Sequence, residues 1–302
     1  MPHYLVTGGA GFIGSNLVKK LLVEGNKVRV IDNYSSGRLE YRIQKDAEYI
    51  EGDIRKMDDL KRAIDGIDGV FHTAAIPRVP YSIEHPQETN ENNISGTLNV
   101  LVAARDAGVK KVVYSASSSA YGDQPVLPHV ETMKPMPMSP YGLQKFVGEE
   151  YCRLFSELYG LKTVSLRYFN VYGPMMDPDG ACALVIGKFL KQKKEGKPMT
   201  VCGDGEYYRD YTHVFDVARA NMLAMNSEKT GKGEVINIGN GHPHSVNELV
   251  KLIGGEFINI ASRVGDPSKT EADITRAKEL LGWNPEITLE EGIMELKKEW
   301  NI

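Results

Sequence analysis

Hydrophobic positions along this chain fall into short apolar runs separated by longer stretches of helical period, and the two alternate regularly. Leu5-Val6, Lys27 to Ile31, Glu48 to Ile50, Gly69 to His72, Lys111 to Tyr114 and Thr163 to Tyr168 read as strands, each a brief run bounded by turn formers or charges. Between them, Asn16 to Glu24, Met57 to Ala63, Glu88 to Ala107 and Tyr141 to Tyr159 read as helices. In the third helix Ile94, Leu98, Leu101 and Val102 form the apolar stripe; Gly108 stops it, as Gly160 stops the fourth. Parallel neighbours in a sheet need crossover connections, so this alternation predicts a parallel sheet covered by helices on both faces.

Two proline-rich segments interrupt the rhythm. Ile76 to Pro86, with three prolines, reads as an active-site loop and not a helix, and Tyr121 to Pro140, with five, as a long loop. Beyond Asn170 the pattern changes. Gly173-Pro174 and Asp177 to Gly180 are loop signals, Ala183 to Lys193 a helix, Pro198 to Cys202 a short strand and Asp204 to Asp210 a polar loop. Val214 to Met225 is helical, and Val235 to Gly239 reads as a buried strand able to rejoin the sheet; the remainder reads as helices and loops closed by Trp283 and Pro285. The fold class expected is α/β: a Rossmann-like doubly wound sheet over residues 1–170, rejoined by about 211–240, with a smaller C-terminal α+β lobe from 171–210 and 241–302 that binds substrate.

Composition removes several classes of function. With 302 residues, 41% hydrophobic and 25% charged, the chain reads as a soluble globular protein with room for two lobes. Its net charge of −4, from 36 basic and 40 acidic residues without a basic run, gives no nucleic-acid or membrane surface. No apolar stretch reaches spanning length, and a strand begins too early for a signal peptide. Cys152, Cys182 and Cys202 lack metal-ligand spacing, and their odd number argues against disulfides. A cytoplasmic protein with reduced thiols and no metal is expected.

Candidate chemistry begins at Tyr4 to Gly14, YLVTGGAGFIG. Gly8, Gly11 and Gly14 follow a strand and open a helix, the arrangement in which a tight turn, close approach of a pyrophosphate and close helix packing each require glycine. The helix N-terminus adds N–H groups and a positive dipole end, and Phe12 and Ile13, in the turn that leads into it, are expected among the cofactor contacts. The second strand ends in Asp32, whose carboxylate suits both adenosine ribose hydroxyls and repels a 2′-phosphate, so NAD is expected and not NADP. The loop Asn33 to Gly37, including Ser36, lies at the adenosine end. Asp53 suits the adenine amino group with Ile54 on the ring, although a helix N-cap aspartate would read the same. Ala74 and Ala75, after the strand at His72, are small enough to let backbone reach a cofactor.

Tyr141 and Lys145 lie one turn apart on one helix face. A tyrosine with an ordinary pKa near 10 is a poor base, but a neighbouring lysine and a cationic nicotinamide favour the phenolate. Lys145 also suits the nicotinamide ribose, and Ser117, in the cluster Ser115 to Ser119 at a strand end, suits a proton relay with the phenol. His72, His213 and His242 are scattered and read as structural, and Glu290-Glu291 as a solvated helix face.

Taken together, GGAGFIG, Asp32, the serine cluster, YGLQK and RYFNVYG resemble the extended short-chain dehydrogenase/reductase family over nearly the whole chain. SASSSAYGDQPVLPHVE, SPYGLQK and RDYTHVFDVA are most like the NAD-dependent UDP-sugar 4-epimerases within it. The resemblance implies transient oxidation of a sugar at C4 without net redox change, on tightly held NAD. It implies Ser117 and Tyr141 as the proton relay, Lys145 supporting phenol and cofactor, Tyr168 and Phe169 beside the nicotinamide, and Asn93 and Ser115 among the cofactor contacts. For the UDP-sugar it implies Arg209 and Arg263 on the diphosphate, Asp266 on the uridine ribose and Asn170 on a phosphate, with Leu184 and Thr200 alongside. Thr270 occupies the position of the family's gate, where a small residue admits N-acetylated sugars beside plain hexoses. One departure is IPRVPY (76–81), where some epimerases carry a lysine. Family members commonly dimerise through a four-helix interface, which here would use Glu88 to Ala107 and Tyr141 to Tyr159. Two rivals stand beside this reading: a sugar-nucleotide dehydratase, whose acid pair Ser117-Ser118-Ser119 lacks, and a dinucleotide-sensing protein without turnover.

Overall fold

Strands covered on both faces must be apolar along their length, and Leu5, Val6, Val30, Val70, Phe71, Val112, Val113, Val164 and Leu166 are all fully buried. The computed structural model, which describes residues 1–177, 185–261 and 269–302, assembles them into a seven-stranded sheet. Its order is Glu234–Ile238, Lys162–Tyr168, Lys111–Ser117, Gly69–His72, His3–Thr7, Lys27–Asp32, Glu48–Glu51, with every neighbouring pair parallel. The returning strand is the one expected beyond residue 211, and it places Ile238 opposite Tyr168. Strand order reverses between His3–Thr7 and Gly69–His72. A doubly wound sheet opens its ligand crevice beyond the carboxyl ends at such a point, here at Gly8 and Thr73.

Helices Phe12–Val23, Val214–Asn226 and Thr275–Leu281 cover one face, where Leu17, Leu21, Val217 and Trp283 share a core with the strands. Met57–Ile64, Gly96–Asp106 and Pro140–Tyr159 cover the other through Leu60, Leu101, Cys152 and Phe155. A third core, built from Tyr172, Phe189, Val201, Leu249 and Ile293, unites Val185–Lys194, Val246–Ile253 and Leu289–Trp300. Among the described residues no helix is long and apolar enough to cross a membrane.

Several expectations need correction. Ile76 to Pro86 is not all loop: Val79–Glu84 is a helix, with Pro80 in its first turn, where a missing N–H costs nothing. The next helix starts at Pro86 for the same reason and runs to Asp106 through a π turn at Glu91–Ser95. Phe257–Ile260 is a strand paired in parallel with Met199–Cys202, where only helices and loops were expected. Glu291 is no mere solvated charge: it accepts from the Thr288 N–H at 2.9 Å and completes a capping box.

Candidate active site

At the first turn Gly8 has φ +69°, a left-handed conformation that glycine adopts without penalty. A Cβ there would stand 2.7 Å from the Ala74 Cα, so the two loops at the switch point touch through backbone. A Cβ on Gly14 would collide with the Gly8 carbonyl oxygen. The Gly11 N-cap carries no side-chain hydrogen bond, so the first-turn N–H groups of Phe12, Ile13 and Gly14 meet no capping side chain. Phe12 packs its ring on the third core and Ile13 on the sheet core. Asp32 accepts from the Ala10 N–H at 2.9 Å and the Tyr34 N–H at 2.8 Å. Burial pushes its carboxyl up, and those two donors with Arg42 pull it back. The Asn33 to Gly37 loop closes on itself, Gly37 N–H donating to the Tyr34 carbonyl at 2.8 Å, and leaves Ser36 exposed.

Asp53 is not the N-cap of Met57–Ile64, a place that Lys56 takes. Arg55 grips both its carboxylate oxygens at 2.6 to 3.1 Å, chiefly holding its pKa down at about 2, and Asn33 Nδ2 donates to it at 3.3 Å. Ile54 turns inward, its Cδ1 filling the space where a Cβ on Gly96 would stand, 2.6 Å away.

The helix carrying Tyr141 and Lys145 spans Pro140–Tyr159 and is capped by Ser139, whose Oγ accepts from the Gly142 N–H at 3.1 Å. A Cβ on Gly142 would stand 2.6 Å from the Ser119 carbonyl oxygen, so the serine turn presses directly on this helix start. Ser117 ends its strand; its Oγ donates to Ser119 Oγ at 3.1 Å and accepts from the Ser119 N–H at 3.2 Å. Lys145 is buried, donates from Nζ to the Ser115 carbonyl at 2.7 Å, and lies 4.9 Å from the centre of the Tyr114 ring. The Tyr141 N–H donates to Ser82 Oγ at 3.1 Å. Sequence reasoning missed Ser82 because its segment was read as loop.

Three other residues are interior. Tyr168 points its hydroxyl at Ser115 Oγ (3.1 Å) and Asn221 Oδ1 (3.0 Å), and burial raises its pKa to about 12. The Tyr168 phenol and the Ser115 hydroxyl thus meet each other within the interior. Phe169 is fully buried beside Tyr121 and His129. Asn93, 1% exposed, binds both backbone groups of Ile76 and the Gln144 side chain, so it supports the crevice wall from behind.

On the far side, Asn170 adopts φ +30° and donates from Nδ2 to the Asp210 carbonyl at 3.0 Å and to Thr270 Oγ1 at 3.3 Å. Asp210, fully buried, accepts from the N–H groups of Asn240, Gly241 and Ala272 at 2.6, 3.0 and 2.9 Å. Arg209 is thus mounted beside a carboxylate that gathers three loops, and its Nη1 donates to the Tyr208 carbonyl at 2.9 Å. Thr200 pairs with Gln192, donating its N–H to Oε1 at 3.1 Å and accepting from Nε2 at 3.0 Å. Leu184, Arg263 and Asp266, like Cys182, lie outside the described residues.

Parallel sheet, dinucleotide turn and Tyr-Lys helix define a class of NAD-dependent proteins, and residues 4–239 match the NAD dependent epimerase/dehydratase family. The chain belongs to that family. It is similar, at 42% identity, TM-score 0.93 and coverage of 99% of this chain and 98% of the other, to the crystal structure of UDP-glucose 4-epimerase from Thermotoga maritima with UDP-glucose. A UDP-N-acetylglucosamine 4-epimerase from Methanobrevibacter ruminantium, in complex with UDP-N-acetylmuramic acid, aligns at 37% identity and TM-score 0.92 over 99% of this chain and 98% of that one. Among sequences, UDP-glucuronate 4-epimerase of Thermodesulfobacterium geofontis is 37% identical, the match spanning 97% of this chain and 94% of the relative.

Proposed function

We propose that this protein is an NAD-dependent UDP-hexose 4-epimerase that interconverts UDP-glucose and UDP-galactose and also accepts UDP-N-acetylglucosamine and UDP-N-acetylgalactosamine. The observation that carries the reading is the helix start at Tyr141, seated on the Ser117–Ser119 turn at the carboxyl edge of the sheet. Such a helix needs a dinucleotide beside it, and the crevice fits one. Backbone touches backbone at Gly8 and Ala74, the Phe12–Val23 helix begins without a side-chain cap, and Asp32 ends the second strand. NAD, when bound, supplies the acceptor and donor for the hydride at C4.

The chain's own residues do the rest. Tyr141 takes the proton of the sugar 4-hydroxyl and later returns it, Ser117 relays it, and the Lys145 charge keeps the phenolate accessible. The sugar must present either face, so the nucleotide is held apart from it in the lobe built on the third core, residues 171–210 and 241–302. Arg209, Arg263 and Asn170 anchor the diphosphate there. Exposed Leu143 and Leu158 on the Pro140–Tyr159 helix support a homodimer paired through that helix and the one over Glu88 to Ala107. Incubation with UDP-galactose, UDP-N-acetylgalactosamine and UDP-glucuronate, followed by separation of products, tests the assignment. UDP-glucose should form from UDP-galactose, and turnover of UDP-glucuronate alone would overturn it.

Three further results are expected. NAD binds more tightly than NADP, because Asp32 would face a 2′-phosphate; calorimetry checks this, and equal affinities would refute it. Arg209→Ala weakens UDP binding by about 1.5–3 kcal/mol, the worth of a charge-assisted contact, and an unchanged UDP affinity would remove Arg209 from the anchor. Thr270→Tyr abolishes turnover of N-acetylated sugars while keeping plain hexoses, since Thr270 lies against Asn170 beside the proposed phosphate site. A tyrosine variant that still turns over N-acetylated sugars would show that the limit lies elsewhere.

A further inference from the structure

A polar chain runs through the buried interior from the last residue before the glycine turn to the helix of Tyr141 and Lys145, and its central member is His72. We propose that His72 is a positioning residue, an imidazole locked in its Nε2–H form that sets the spacing between the cofactor turn and the catalytic helix. The inference rests on the Tyr141–Lys145 reading above.

His72 ends its strand with 1% of its surface exposed. Its Nδ1 lies 2.7 Å from Thr7 Oγ1 and its Nε2 2.9 Å from Thr97 Oγ1. Both ends of the chain have fixed polarity. The Ala74 N–H, which can only donate, reaches Thr7 Oγ1 at 3.2 Å, and the Asn93 carbonyl, which can only accept, receives Thr97 Oγ1 at 2.7 Å. A hydroxyl has one proton to give. Thr97 spends its proton on Asn93, so it presents a lone pair to His72, and Nε2 must carry hydrogen. Nδ1 is then bare, Thr7 donates to it, and the Thr7 lone pair is left for the Ala74 N–H. No other tautomer satisfies all four bonds, and a protonated ring would leave the Thr7 proton without an acceptor. Burial and the charge of Lys145 act the same way, lowering the imidazole pKa to about 3.

Beyond His72 the chain continues. Asn93 Oδ1 accepts from the Ile76 N–H at 2.8 Å, and Nδ2 donates to Gln144 Oε1 at 2.8 Å. Gln144 stands between Tyr141 and Lys145 on the same helix. At the other end, Thr7 precedes Gly8, whose backbone touches Ala74. An apolar core would fill this space as well, but it would have no preferred register. A fully satisfied buried network has one.

Two measurements test the proposal on the intact enzyme. Nitrogen-15 spectra of His72 should show the Nε2–H tautomer with no titration between about pH 5 and about pH 8, the range in which an ordinary histidine titrates. Thr7→Val, nearly isosteric, should lower kcat about tenfold with the KM for UDP-galactose little changed, and Thr7→Ser should restore it, as a misplaced reacting group costs rate more than binding. An Nδ1–H or titrating imidazole overturns the proposal, as does a Thr7→Val enzyme with wild-type kcat. If the wild type turned over no UDP-sugar, the functional reading would fail, while the tautomer would still decide the role of His72.

Discussion

Replacing Tyr141 with phenylalanine is expected to slow epimerisation by about 100- to 10,000-fold, the usual loss when a positioned acid–base group is removed. NAD and UDP affinities should stay close to wild type. The substitution deletes one hydroxyl and little else. The Tyr141 N–H keeps its bond to Ser82, Ser139 still caps the helix, and Lys145 still donates to the Ser115 carbonyl. What disappears is the hydroxyl proposed to take the proton from the sugar. Steady-state assay with UDP-galactose, beside calorimetry with UDP, separates the two effects. A variant turning over at nearly the wild-type rate would exclude Tyr141 as the base.

The second large effect is on stability. Arg167 donates from Nε to Glu149 Oε1 at 2.9 Å and from Nη2 to Oε2 at 2.6 Å, and both side chains are almost wholly buried. Its guanidinium also lies 4.4 Å from the centre of the Tyr121 ring. This pair ties the Tyr141 helix, two turns past the tyrosine, to the strand Lys162–Tyr168. Glu149→Ala leaves a buried guanidinium uncompensated and should cost about 3–5 kcal/mol. That corresponds to a fall in melting temperature on the order of 10 °C. Replacing both partners, Glu149→Leu with Arg167→Met, should cost far less, because the lone charge goes too. Thermal melts of the single and double variants check this; a Glu149→Ala protein melting with the wild type would contradict it.

Much of the fold was legible because its signals are periodic. Apolar runs alternating with amphipathic stretches announced the parallel sheet, and Val235 to Gly239 was recognisable as its returning strand. The glycine turn and the tyrosine–lysine spacing are local, so one short window holds each. What escaped was settled by distant partners. Prolines in Ile76 to Pro86 signalled a loop, yet proline suits a helix's first turn, and only the fold brings Ser82 to the Tyr141 N–H. The π turn at Glu91–Ser95 has no composition of its own. That the Ile54 side chain packs on Gly96 and the Tyr168 hydroxyl reaches Asn221 has no local signal either. An aspartate at position 53 reads equally as a ligand or a cap, and the grip of Arg55 on it appears only in the fold. Asp210 carries no local signal, because the N–H groups it gathers come from residues 240, 241 and 272.

In the proposed reaction the sugar is oxidised at C4 and reduced again within one site. UDP-galactose carrying deuterium at C4, incubated with the purified enzyme in ordinary water, measures this directly. Mass and proton spectra of the recovered UDP-glucose should show the deuterium still at C4, because the atom leaves with the hydride and returns without meeting solvent. UDP-glucose with hydrogen at C4 would contradict the account.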